Sequence, residues 1–133
     1  YGHAMTRRNL RGFMTKSNVT AALAAIGLLL ASQAAAHPTL VRSEPAAGSK
    51  NQAPLAIALQ FSEKIQPVFN RIEVTDAKGA HCEEGKAVLD DSDRSVLRIS
   101  LKPLQPGGYL VKWRASGADS HPMEGSFHFE VKN

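Results

Sequence analysis

The sequence predicts an all-β protein: an antiparallel β-sandwich of about seven strands, preceded by a cleaved signal peptide. Three observations carry this. Apolar residues beyond position 36 recur with a period of two, as in half-buried strands. Clusters of Pro, Gly, Asp and Ser separate these runs at short intervals. No window of eleven or more residues after Ala36 carries a helical apolar stripe.

Residues 14–36 have the three parts of a secretory signal. Lys16 gives positive charge near Met14, and an apolar stretch from Ala21 to Ala31 centres on Ile26, Leu28, Leu29 and Leu30. Small residues follow, ending in the A-x-A pattern of Ala34 and Ala36. The apolar run is about a dozen residues, short of the ~20 that span a bilayer. Cleavage after Ala36 is therefore expected, with 1–36 as signal peptide and 37–133 as the mature domain; the competing assignment is a retained anchor or a buried helix. Tyr1-Gly2-His3-Ala4 does not begin with methionine, so residues 1–13 are expected to be non-native or over-extended. Thr6-Arg7-Arg8-Asn9-Leu10 loosely resembles a twin-arginine export signal, which leaves the export route open between that pathway and the general one.

In the mature domain, Leu55, Ile57, Leu59 and Phe61 alternate across Pro54 to Phe61, and Ile72 and Val74 alternate in Arg71 to Thr75. Leu97, Ile99 and Leu101 follow, then Tyr109, Val111 and Trp113, then Phe127, Phe129 and Val131. Thr39 to Ser43 and Lys86 to Leu89 are expected as edge strands. Turns are expected from Glu44-Pro45 through Gly48-Ser49, at Asp76 to Gly79, at Asp90 to Asp93 and at Pro103 to Gly108. Several short strands with one apolar face each describe two packed antiparallel sheets. Tyr109 follows Pro106-Gly107-Gly108 in the manner of a tyrosine corner, and Trp113 on the same face is expected in the core.

The formal charge of +4 originates in the leader, which holds Arg7, Arg8, Arg11 and Lys16 and no acidic residue; the other twelve basic residues balance all twelve acidic ones. A neutral mature domain without a basic patch interleaved with aromatics excludes nucleic acid as a partner. Its 97 residues make one domain. Cys82 is the one cysteine, so no intrachain disulfide forms.

The histidines differ in meaning. His3 leaves with the leader, His128 alternates with Phe127 and Phe129 and so faces solvent, and His81 sits in a turn beside Cys82. Cleavage after Ala36 makes His37 the first residue, offering a metal its α-amine and its ring. Pro38 has no backbone N–H, so a metal cannot displace amide protons there, and His37 binds as a two-toothed chelate. Asp119 and His121 are two apart in a polar loop, and an extended segment would put both on one face. His37, His121 and oxygen from Asp119 or water form a tetragonal N,O set of the kind that favours Cu(II). Glu63, ending the first long strand, is a candidate to hydrogen-bond a ligating ring.

These residues resemble a family. His37-Pro38-Thr39-Leu40-Val41, Ser43-Glu44-Pro45-Ala46 and Phe61-Ser62-Glu63 look like the opening of CopC-type periplasmic copper-resistance proteins. Gly108-Tyr109, Val111, Trp113-Arg114, Ser120-His121-Pro122 and Gly125-Ser126 look like their closing half. The resemblance spans 37–133. It implies a seven-stranded immunoglobulin-like sandwich binding one Cu(II) per mature chain, with His37 giving amine and ring nitrogens and His121 a ring nitrogen. Asp119 would be a ligand or orienting group, and Glu63 would sit beside the site. It further implies a periplasmic monomer for copper resistance, homeostasis or transfer to an inner-membrane transporter of the CopD type, not inserted in the membrane after cleavage. The methionine-rich segment by which some members bind Cu(I) is missing: Met123 is the one methionine of the mature domain, and the middle stretch reads Asp76 to Glu84 through His81 and Cys82. Two other functions stay open. A metal-free immunoglobulin-like interaction module predicts that His37 and His121 do not meet. A mononuclear copper oxidative enzyme would need a broad aromatic surface, for which one tryptophan and Tyr109 provide little.

Overall fold

The computed structural model describes Gly2 and residues 38–133; the expected leader, its cleavage site and His37 lie outside the described residues. Eight strands follow one another: β1 (Leu40–Glu44), β2 (Lys50–Asn51), β3 (Ala56–Phe61), β4 (Arg71–Asp76), β5 (Glu83–Leu89), β6 (Val96–Leu101), β7 (Gly107–Ser116) and β8 (Pro122–Val131). They form two four-stranded sheets, ordered β1-β3-β6-β5 and β2-β8-β7-β4. The pairings are antiparallel apart from β2 with β8. Among the described residues there is no helix, and hence none long and apolar enough to cross a membrane.

The order is that of an immunoglobulin-like Greek key. Its first strand is divided: β1 pairs in one sheet, the chain turns at the cis Glu44–Pro45 bond, and β2 joins the other sheet beside β8. Taking β1 and β2 as the halves of one strand gives the seven expected. β2 was absent from the sequence-based expectation because two residues show no alternation. It forms through main-chain bonds, Glu130 N to Ser49 O at 2.9 Å and Lys132 N to Asn51 O at 2.8 Å. The other two expected edge strands are present, at Leu40–Glu44 and, longer than expected, at Glu83–Leu89.

Period-two alternation places the core. Ile57, Leu59 and Phe61 of β3 face Ile72 and Val74 of β4, Tyr109 and Val111 of β7, and Phe127, Phe129 and Val131 of β8 within one buried cluster that also takes Leu97, Ile99 and Leu101 of β6. Leu55 departs from expectation. It was read as the first inward residue of β3, yet it is 85% exposed. Leu55 precedes the first strand residue, Ala56, and although its carbonyl still accepts from Leu101 N at 3.0 Å, its side chain lies at the open edge of the sandwich.

Tyr109 forms the expected corner. Its buried ring stacks on Phe129 at 5.4 Å between centroids, and its Oη donates to Gln105 O at 2.6 Å. Burial raises its pKa. Trp113 is half-buried rather than enclosed: it packs against the core and meets Phe61 edge-on at 5.2 Å. The reason is Gly125, its direct partner on β8. The indole lies over the glycine, where a Cβ would fall 2.5 Å from a ring carbon.

Asp90 organises the turn between β5 and β6. Its Oδ1 accepts from Ser92 Oγ and from the amides of Ser92 and Asp93, while Oδ2 accepts from Arg98 Nε at 3.0 Å. Bonds from the Ser92 side chain and amide, then from Arg98, hold this carboxyl well below the usual range.

Two outcomes are expected. Gly125→Ala should lower stability by about 2 kcal/mol, the usual scale for overpacking, and shift Trp113 emission; a denaturation curve matching the parent would show that the ring has room. Because the folded pKa of Asp90 is depressed, its contribution is present above the unfolded value of ~3.9 and is lost as pH falls through and below it. Asp90→Asn should therefore flatten the loss of stability on acidification below about pH 4, read from thermal melts across pH.

Candidate metal centre

The end of the sandwich where β7 leaves and β8 begins carries the polar loop Gly117–His121, between the paired Ser116 and Pro122. The sequence-based expectation put Asp119 and His121 together through an extended backbone. They do meet, but through a turn. Ser120 has a positive φ of 62° and donates its amide to Gly117 O at 3.0 Å. This bend lets both carboxylate oxygens of Asp119 reach back. Oδ1 accepts the His121 amide at 3.2 Å, and Oδ2 lies 3.3 Å from His121 Nδ1. An ionised carboxylate only accepts, so this contact favours the tautomer with its proton on Nδ1, which leaves Nε2 as the nitrogen that would meet a metal. The His121 side chain is 76% exposed, against 25% for Asp119. The pair is thus an oriented, largely exposed imidazole backed by a carboxylate in the manner usual for metal-ligating histidines.

The start of the described domain lies at the same end. Pro38 is fully buried. Thr39 donates its amide to Ser62 Oγ at 2.9 Å, and the Ser62 amide returns a bond to Thr39 O at 2.9 Å. Leu40 then pairs with Phe61. Glu63 is exposed and follows Ser62 directly, so the carboxylate singled out in the sequence is next to the residue that pins Thr39. The same connection continues to Ile65, whose amide donates to Arg94 O, and to Gln66, whose amide donates to Ser116 O at 2.8 Å. A single stretch, 61–66, therefore joins the segment opening with Pro38 to the strand end that launches the Asp119–His121 loop.

Among the described residues no group of three or more His, Cys, Asp or Glu is close enough to hold a metal; Asp119 and His121 form two parts of the expected set, and His37 lies outside the described residues. His81 and Cys82 do not make a second centre. His81 is exposed and bonds through Nδ1 to Glu83 Oε1 at 2.8 Å, whereas Cys82 packs against the core and donates its thiol to Ala80 O at 3.4 Å. Burial pushes the Cys82 thiol up, and the carboxylates of Asp76 and Glu83 push the same way, which disfavours the thiolate that binds soft metals. Burial also disfavours charge on Glu83, but bonds from the Val74 amide and from His81 outweigh it and lower its pKa. His128 is exposed on the outer face of β8, as its alternation requires.

Comparison with known proteins gives a consistent result. The CopC domain family model matches residues 40–132. The chain is 38% identical over 116 residues to copper resistance protein C of Pseudomonas syringae pv. tomato, covering 83% of this chain and 92% of that one. Among solved structures it is similar to PcoC, a methionine-rich copper resistance protein from Escherichia coli, with a TM-score of 0.65 and 35% identity over 73% of this chain and 100% of that one. It is also similar to CopC from Methylosinus trichosporium OB3b, with a TM-score of 0.67 and 27% identity over 72% of this chain and 94% of that one.

Proposed function

The chain belongs to the CopC domain family, and from that premise we propose that it is a periplasmic Cu(II)-binding protein of copper resistance or homeostasis. It takes one ion per mature chain, works as a monomer after removal of residues 1–36, and passes copper to an inner-membrane transporter of the CopD type. Its role is binding and transfer rather than catalysis. The observation that carries the proposal is the Asp119–His121 pair, with Nδ1 engaged at 3.3 Å and the ring 76% exposed.

The donor chemistry fits the oxidised ion. His121 supplies a borderline imidazole nitrogen, and the proposed His37 terminus supplies an amine and a second imidazole. Asp119 supplies a carboxylate that orients His121 through Nδ1, on the side of the ring away from Nε2. Nitrogen and oxygen donors of this kind suit Cu(II), whereas Cu(I) calls for thioether or thiolate. Residues 37–133 hold one methionine, Met123, and the thiol of Cys82 is held protonated. Pro38 stops the ion from drawing in backbone nitrogen after the terminus, so the site stays incomplete enough to release its cargo. Support for residue 37 at this place is covalent: it is bonded to Pro38, which is buried beside the pinned Thr39.

Electron paramagnetic resonance of Cu(II) on protein beginning at His37, beside protein with one added residue ahead of it, tests the proposal. The added residue should change the spectrum and weaken binding by more than about 100-fold, beyond the ~10–100-fold typical of an outer-sphere partner. Equal spectra and affinities would remove the amine from the ligand set. His121→Ala should abolish the same signal, and absence of Cu(II) binding in the parent would leave the metal-free interaction module instead. A proton competes for the α-amine, so affinity should fall as pH drops below ~7.7–8.0; a flat profile from pH 8 to 6 would contradict amine ligation.

A further inference from the structure

The ligand set explains Asp119 and His121 but not why the loop between them and β7 holds its bend. Ser120 is one of two non-glycine residues with positive φ among the described residues. The left-handed region is unfavourable for a residue with a Cβ, and such conformations persist where the surroundings impose them. Within the loop, Ser120 bonds to Gly117 O. The bonds that reach out of the loop from Ala118 and Ser120 both end on one residue. Gln66 Nε2 donates to Ser120 Oγ at 3.0 Å and lies 3.5 Å from Ala118 O, the second contact being long.

Gln66 is itself fixed on two sides. Its amide donates to Ser116 O at 2.8 Å, and its carbonyl accepts from Asn70 Nδ2 at 2.6 Å. Its side chain is therefore a strut from the end of β7 across to the apex of the loop. The two N–H groups of one primary amide match the two oxygens that the bent loop presents. An unbent Ser120 would carry its hydroxyl away and turn Asp119 from the His121 amide and ring.

We infer that Gln66 is a positioning residue for the copper site, clamping Ser120 in its left-handed bend and thereby fixing the direction in which His121 presents Nε2. The inference rests on the proposed role of His121 as a ligand. The side-chain bonds of Gln66 go to Ser120 and Ala118, so it acts on His121 through Ser120. Its effect is to keep the imidazole in the one tautomer and orientation that the Asp119 carboxylate selects, so that binding does not have to order the loop first.

The test uses protein beginning at His37, with Gln66→Leu, which keeps bulk and removes the donor, and Ser120→Gly, which removes the acceptor while tolerating positive φ. Three readouts are needed: Cu(II) affinity by competition, the resonance spectrum of the Cu(II) form, and the ¹⁵N shifts of the His121 ring in metal-free protein. Each variant should weaken Cu(II) binding about 10-fold, alter the copper hyperfine splitting, and move the ring shifts from a single tautomer toward a mixture. The double variant should lose no more than either single one, since both cut the same bond. Parent-like affinity, spectrum and ring shifts in Gln66→Leu would overturn the inference even if its melting temperature fell, because a merely structural glutamine would give that pattern. Should Gln66→Leu not fold, Ser120→Gly decides alone. Should the parent bind no Cu(II), the functional proposal fails while the metal-free ring shifts still decide whether Gln66 orients His121.

Discussion

The geometry at the functional end depends on one run of main-chain hydrogen bonds. From Phe61 to Gln66 the chain leaves β3 and, before starting β4, bonds to three separate segments. Phe61 N and Ile65 N donate to Ser95 O and Arg94 O, Ser62 exchanges bonds with Thr39, and Gln66 N donates to Ser116 O. None of these bonds belongs to a long ladder, yet together they gather the first described residues, the turn before β6 and the end of β7. Buried or half-buried peptide groups that leave a sheet must find partners elsewhere. Two of the partners they find, Thr39 and Ser116, belong to the segments that adjoin the candidate ligands, so closing the sandwich also draws those segments to one end.

This explains why some of the protein was legible in the sequence and some was not. The strands that build the core were readable because alternation reports which side chains face a second sheet, and Ile57, Leu59 and Phe61 or Phe127, Phe129 and Val131 do so without ambiguity. Leu55 shows the limit: alternation continues past the end of β3, and nothing in the pattern marks that point. β2 was invisible because two residues show no alternation and main-chain bonds join it to β8. The Asp119–His121 pair was legible from its spacing, though for the wrong conformational reason, since the left-handed Ser120 rather than an extended strand brings them together. Gln66 left no signal at all. A glutamine in a polar connection reads as solvated, and the bond that gives it meaning crosses 54 positions to Ser120.

The fold also separates two chemistries that the sequence lists side by side. His81 and Cys82 lie at the β4–β5 connection, where His81 bridges to Thr75, the partner of Leu110 near the start of β7. His121 follows Ser116 at the far end of that strand. Six residues of extended chain put roughly 20 Å between the two places, so His81 and His121 cannot share an ion. At the first end His81 is committed to Glu83 and the thiol is disfavoured from ionising; at the other an imidazole is presented to solvent. The hard and borderline donors are thus concentrated at one end without a soft-ligand counterpart at the other, which is why the proposed cargo is Cu(II) alone.

A chelating N-terminus has to overcome the tendency of chain ends to fray. An amine on a loose tail would lose freedom on every binding event, and that loss subtracts from affinity. The described residues show how this chain limits it. Pro38 is buried and its ring fixes its own φ, while Thr39 is held in both directions by Ser62. With the bond after Ala36 cut, the proposed terminus would extend a single residue beyond an anchored proline, leaving few torsions for the ion to order. The same burial makes the site sensitive to length in a way a flexible tail would not be. Any residue left ahead of His37 converts the amine to an amide and so takes away the proposed donor. On the proposed reading, export and metal binding are coupled, because the cut that would release the domain would also make the ligand.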